Sequence, residues 1–169
     1  MACHKRGALP CTLAAAALTC ASTSARAGSP FDQGSLTLSL AAGSGAFGTE
    51  RYIIAGGGVG IFGADGIELG ADIEAWFAAS PSIVKVSPEV RYVKPTSETV
   101  ALYVGAFASR WLIGEPYEDW NTAGGRGGAY FLFEGGAFLS VGAVYERVLS
   151  GCSVDCVYVY PELALSIAL

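Results

Sequence analysis

The stretch that decides the fold is Ile67-Glu-Leu-Gly-Ala-Asp-Ile-Glu-Ala-Trp-Phe77. Ile67, Leu69, Ala71, Ile73, Ala75 and Phe77 are apolar, while Glu68, Gly70, Asp72 and Glu74 between them are acidic or lack a side chain. Alternation with period two puts these sets on opposite faces of a β-strand and on no single face of a helix. At ~3.3 Å per residue and a tilt near ~45°, such a strand rises roughly 25 Å, the height of the apolar band of a membrane-spanning barrel.

The same alternation continues on either side. Ser35–Phe47 sets Leu36, Leu38 and Leu40 against Thr37 and Ser39; Arg51–Phe62 is glycine-rich on both faces. Gly63-Ala-Asp-Gly66 carries an Asp-Gly hairpin signal into the central strand. Ile83–Val93 sets Val84, Val86, Val90 and Tyr92 against Lys85, Ser87, Glu89 and Arg91, with Pro88 tolerable only at a bulge or an unpaired donor position. Thr99–Leu112, Gly125–Phe133, Ala137–Leu149 and Val157–Leu169 complete the set, with the longest break at Ile113–Gly124. No segment shows the 3.6-residue apolar period of an amphipathic helix. The reading is all-β: an eight-stranded antiparallel up-and-down transmembrane β-barrel, its even count closing the sheet and removing edges that lipid would not tolerate. Short turns at Gly63–Gly66, Lys94–Glu98 and Glu134–Gly136 fall on the side of both termini, and the break at Ile113–Gly124 on the other.

The N-terminus supplies the compartment. Lys5 and Arg6, then the uncharged Ala-rich Gly7–Ser24, then Ala25-Arg26-Ala27 have the order of a secretory signal peptide cleaved after Ala27. Its apolar core is short of the ~20 residues of a helical anchor, and Ala17-Leu18-Thr19 before Cys20 fits a lipoprotein signal poorly. Residues 1–27 are thus the signal and 28–169 the barrel domain. Lys5, Arg6 and Arg26 leave with the signal, so 10 basic residues become seven against 15 acidic ones, a formal charge of −8 that should repel nucleic acid. Of five cysteines, Cys152 and Cys156 remain, in an oxidising compartment where a close pair implies a local disulfide.

The run Arg51-Tyr-Ile-Ile-Ala-Gly-Gly-Gly-Val-Gly-Ile-Phe-Gly-Ala-Asp-Gly-Ile-Glu-Leu-Gly70, followed by Ser87-Pro-Glu-Val-Arg-Tyr-Val93, resembles the small eight-stranded outer-membrane β-barrel proteins of bacteria. The resemblance spans Gly34–Leu169 and implies an integral outer-membrane protein, monomeric, whose partners are outer-membrane lipid and an unidentified extracellular molecule. It rests on pattern and glycine-rich hairpins, without a catalytic motif. The ending Ser166-Ile-Ala-Leu169 departs from the Phe or Trp with which such proteins commonly end.

The inward face carries the groups that could do chemistry. Glu68, Asp72, Glu74, Glu89, Glu146 and Glu162 share it with Lys85, Arg91 and Arg110, making a lumenal charge network of six acidic and three basic groups. An inward Arg110 sends Tyr103, Phe107 and Trp111 outward, where two of these aromatics would serve as membrane girdles. Carboxylates in such excess are expected to take up protons or a cation. The network could be imagined as a paired-carboxylate hydrolase, but an eight-stranded interior is just wide enough for side chains, and a salt-bridged plug is the expected arrangement.

The match to G-x-G-x-x-G at Gly58-Val-Gly60-Ile-Phe-Gly63 opens no helix and carries no dinucleotide site; glycines on the inner face of a narrow barrel make room for large neighbours such as Trp76, Tyr158 and Tyr160. Enzymes on related barrels, including lipid A deacylases, lipid A palmitoyl transferases, omptin-type proteases and outer-membrane phospholipases, use a histidine, whereas His4 is the one histidine here and leaves with the signal. Metal sites built on His or Cys clusters fail likewise, so no cofactor or metal is expected. The expected function is non-enzymatic, structural or interactive through extracellular loops. Two alternatives stand beside it: a narrow channel for small or apolar solutes, and a secreted soluble lipocalin-like barrel.

Overall fold

The computed structural model describes residues 29–47, 50–149 and 156–169. The expected signal peptide, Cys152 and most of its loop lie outside the described residues. Eight strands follow in chain order: β1 Leu36–Phe47, β2 Glu50–Ala64, β3 Ile67–Phe77, β4 Ile83–Pro95, β5 Val100–Ile113, β6 Trp120–Leu132, β7 Ala137–Val148 and β8 Val157–Ala168. Each pairs antiparallel with its sequence neighbour, and β1 pairs with β8 to close the barrel. Among the described residues no helix is long and apolar enough to cross a membrane.

Turn chemistry sets the hairpins. The β2–β3 connection turns at Gly66, whose φ of 72° suits glycine, and where a Cβ would stand 2.5 Å from the Val93 carbonyl oxygen. Pro88 sits where the β4–β5 ladder is interrupted between Val86 and Glu89, so its missing N–H leaves no partner unmet; beside it the Ser87 and Ser109 hydroxyls bond at 2.7 Å.

The alternation of β3 is observed as expected: Glu68 and Trp76 are buried, Asp72 and Glu74 half-buried, and the six apolar residues exposed. β4 likewise buries Lys85, Ser87 and Arg91. Two expectations are corrected. The break foreseen at Ile113–Gly124 shrinks to residues 114–119, because the β5–β6 ladder already runs from Trp111 and Trp120 onward through the glycine-rich Ala123-Gly-Gly125. On β5, whose parity its apolar sequence leaves open, Tyr103, Phe107 and Trp111 are buried inside and Arg110 points out, against the lumenal place expected for Arg110.

The reason is volume. Glycines on neighbouring inward faces leave the space that these rings occupy: a Cβ on Gly124 would lie 2.6 Å from the Phe107 ring, one on Gly142 2.3 Å from the Tyr103 hydroxyl, and one on Gly45 2.9 Å from Trp76. A ring placed outside would leave that space empty at a cost in packing.

Two aromatic clusters fill the ends of the lumen. At the end carrying both termini, Phe31 folds in from the N-terminal segment and packs with Phe62, Tyr103, Tyr130 and Phe138. At the other end Tyr52, Trp76, Ile83, Trp111 and Ile113 pack together, with Ile54 and Trp120 against them.

Candidate functional site

Between the two clusters lies the charge network, in three tiers. Nearest the termini, Thr37 donates to Glu68, Arg91 donates to Tyr130 and to Glu89, and Arg91 lies 3.4 Å from Glu68. In the middle, Arg126 is held by Asp72 at 3.2 Å, Glu89 at 3.2 Å and Glu162 at 3.5 Å. Towards the loop end, Lys85 Nζ donates to Glu146 at 2.9 Å and lies 3.8 Å from Glu74. Trp111 Nε1, Thr122 and the Tyr160 hydroxyl all donate to Glu146 as well. The rings of Phe107, Trp111 and Tyr160 stand 5.3 to 5.7 Å from Lys85 Nζ, within reach of a cation–π attraction.

Eight of the nine residues expected in the lumen are therefore brought together: Glu68, Asp72, Glu74, Lys85, Glu89, Arg91, Glu146 and Glu162. Arg110 is the exception. It is on the outer rim, bonded to Asp119 at 2.9 Å and Asn121 at 3.1 Å, because it alternates with the inward rings of β5. The third lumenal cation is Arg126, which sequence reasoning passed over. Its strand is glycine on both sides of it, so the pattern gave no parity; an arginine placed among small residues was the available signal.

This arrangement leaves little free chemistry. Each cation is committed to carboxylates, and Ser87 and Ser109 bond each other. Among the described residues no group of three or more His, Cys, Asp or Glu side chains is placed to hold a metal ion.

Outside, the polarity is inverted. Leu38, Leu40, Val59, Leu69, Ile73, Val90, Val104, Val141, Leu163 and Leu165 are all exposed on the outer face. Exposed aromatics lie towards both rims: Tyr92, Phe131 and Phe133 near the termini, Phe77 and Tyr145 nearer the loops. These occupy the girdle positions for which two of the β5 aromatics had been expected.

No family model matches the chain, and no curated protein does. Several solved structures share its fold, and two illustrate the likeness. One is the N-terminal β-barrel domain of Pseudomonas aeruginosa OprF, with a TM-score of 0.63 and 16% identity over 81% of this chain and 98% of that one. The other is Neisserial surface protein A, NspA, with a TM-score of 0.54 and 16% identity over 80% of this chain and 94% of that one. The chain thus has the eight-stranded up-and-down fold found in these barrels.

Proposed function

We propose that the chain is an integral barrel of a bacterial outer membrane, non-enzymatic, with a structural or surface-interaction role carried by the loops opposite its termini. The observation that carries the reading is the inverted polarity: charged and hydrogen-bonded groups inside, apolar side chains in a belt outside, aromatics towards both rims. A soluble barrel needs the opposite, since an apolar surface of that extent in water drives aggregation. The Ala-rich N-terminal segment and the barrel folds of OprF and NspA support the compartment.

In this reading the short turns face the periplasm, and the connections at 78–82 and 114–119 face outward. The non-enzymatic assignment is supported by a lumen whose cations are all engaged and by the absence of histidine after residue 4. The narrow-channel alternative is disfavoured by the aromatic clusters at both ends. A monomer in outer-membrane lipid is the expected state. Fractionating exported protein without detergent tests the assignment: it belongs in the outer-membrane fraction and stays there on alkaline washing, and recovery in the soluble periplasmic or secreted fraction would overturn it.

A further inference from the structure

The closing seam of the barrel is incomplete. β1 and β8 are bonded from Leu36 with Leu169, through Thr37 with Ala168, to Ala41 with Ala164, and no further, although β1 continues to Phe47 and β8 begins at Val157. Over the same stretch β1 stays fully paired with β2, so its other edge is intact. Beyond Ala41 the two strands part, leaving a gap in the wall in the half of the barrel nearer the loops.

A cavity of about 460 Å³ lies along that gap. Its lining includes successive residues of both strands, Ala41 to Gly45 and Val157 to Ala164. Successive residues of a strand face opposite sides of the sheet, so a cavity touching all of them lies along the unpaired strand edges and not on one face alone. One bank is nearly bare of side chains, and a Cβ on Gly43 would meet nothing within 4 Å. On the other bank Pro161 has no N–H to offer. The inner walls near the gap are apolar or aromatic, Ile54, Trp76, Val144 and Tyr160, with Asp72, Arg126 and Glu162 below them.

Along the axis the two aromatic clusters pack at either end of the described lumen. What lies against the gap is the belt of the outer surface, where Leu40 and Val159 are 71% and 72% exposed. A groove over Leu38, Leu40, Val59, Ile73 and Leu165 runs alongside. Unpaired backbone at this depth is tolerated only where it lines a cavity or meets a partner.

We propose that the seam between β1 and β8 is a lateral portal through which one alkyl chain of a membrane amphiphile enters the lumen and lies against Ile54, Trp76 and Tyr160. The volume is that of a small-molecule site, ~300 to 1,000 Å³, and its entrance opens to a hydrocarbon phase. The inference rests on the membrane reading above.

All three tryptophans, Trp76, Trp111 and Trp120, belong to or pack against the loop-end cluster, and the first two line the cavity, so their fluorescence reports on the lumen. The protein is inserted into vesicles of phosphatidylcholine whose acyl chains carry bromine, and the inserted fraction is isolated by flotation before measurement. Failure to float overturns the membrane reading and, with it, the portal. In the floated protein, strong tryptophan quenching is expected, lost in Gly43→Phe, which fills the gap with a ring. Ala41→Leu, a smaller change on the same bank, is expected to reduce it and serves where Gly43→Phe does not fold. Quenching equal in parent and variants would mean that bromine acts across an intact wall and would overturn the portal. An unquenched parent that cross-links as a dimer would overturn it too, by showing the edge covered by a second copy.

Discussion

Lys85 on β4 and Glu146 on β7 meet across the lumen with Nζ and Oε2 2.9 Å apart, both side chains wholly shielded from solvent. Burial makes this pair asymmetric in its energetics: removing one member strands the other charge, whereas removing both with apolar groups of similar volume abolishes the desolvation cost as well. Glu146→Ala is therefore expected to cost ~3–5 kcal/mol, and the double change Lys85→Met with Glu146→Leu less than the single one by the cost of the stranded charge, Trp111, Thr122 and Tyr160 losing their acceptor in both. Urea unfolding of each variant in lipid vesicles checks this. A single variant as stable as the parent would mean that the pair contributes nothing.

Two arginines separate the lumen from the rim. Arg126 has three carboxylates within 3.5 Å and a side chain 7% exposed; Arg110 has one within 4 Å, Asp119, and is 49% exposed. Arg126→Ala should cost ~3–5 kcal/mol, because Asp72, Glu89 and Glu162 lose a common cation in a narrow space. Arg110→Ala should cost ~0–1 kcal/mol, as an exposed pair does. Equal losses in the same unfolding assay would return Arg110 to the lumen.

Why the sequence placed one arginine correctly by type and wrongly by position is a matter of neighbours. Parity is legible where large apolar residues alternate with charged ones, as in β3, β4, β7 and β8, since only one face of such a strand can meet hydrocarbon. In β5 both faces carry apolar residues: Tyr103, Phe107 and Trp111 inside, Leu102, Val104 and Leu112 outside. In β6 glycine and alanine surround Arg126 and give no contrast. Deciding between the two parities requires knowing that Gly124, Gly128 and Gly142 stand opposite the β5 rings, which is information about register across strands and not along one. Phe31 was invisible for a similar reason: a single aromatic before the first strand becomes a plug only once the barrel mouth it fills exists.

The glycine and ring complementarity is itself testable at Gly142. A Cβ there would stand 2.3 Å from the Tyr103 hydroxyl and 2.6 Å from the Gly127 carbonyl oxygen, one contact with the end of a side chain and one with backbone. Gly142→Ala should destabilise by ~1–3 kcal/mol through overpacking. Adding Tyr103→Phe should recover part of that loss and not all, because the backbone contact remains. Full recovery would locate the clash in the hydroxyl alone; no loss in Gly142→Ala would show that the strands separate freely.

The loop from β7 to β8 carries the expected Cys152 and Cys156 pair, with Cys156 immediately before β8. By chain entropy, closing five residues stabilises by only about 2 kcal/mol, so the effect of a bond is to stiffen this loop. Mass spectrometry of exported protein, alkylated without reduction, should find neither cysteine modified. Alkylation of both would remove the disulfide from the description.

The orientation of the wall is tested on β3 by placing Arg in turn at Ile67, Ala71 and Ala75, all exposed on its apolar face and differing mainly in height. Ala71 pairs with Val59 on one side and Pro88 on the other, near the middle of both ladders, while Ile67 and Ala75 lie towards opposite ends. If that face meets hydrocarbon, Ala71→Arg should cost ~2–4 kcal/mol and the other two substitutions should fall towards ~0–1 kcal/mol as the side chain reaches the interface. A soluble barrel offers no gradient of depth on its outer surface, so all three arginines would be nearly neutral in water. A strand turned inside out would bring each new arginine into the lumen, where acids of other strands such as Glu89, Glu146 and Glu162 offer it a partner. Stability of the refolded variants in vesicles therefore separates three architectures by the shape of one profile, and a flat profile or a stable Ala71→Arg would overturn the lipid-facing assignment of this strand.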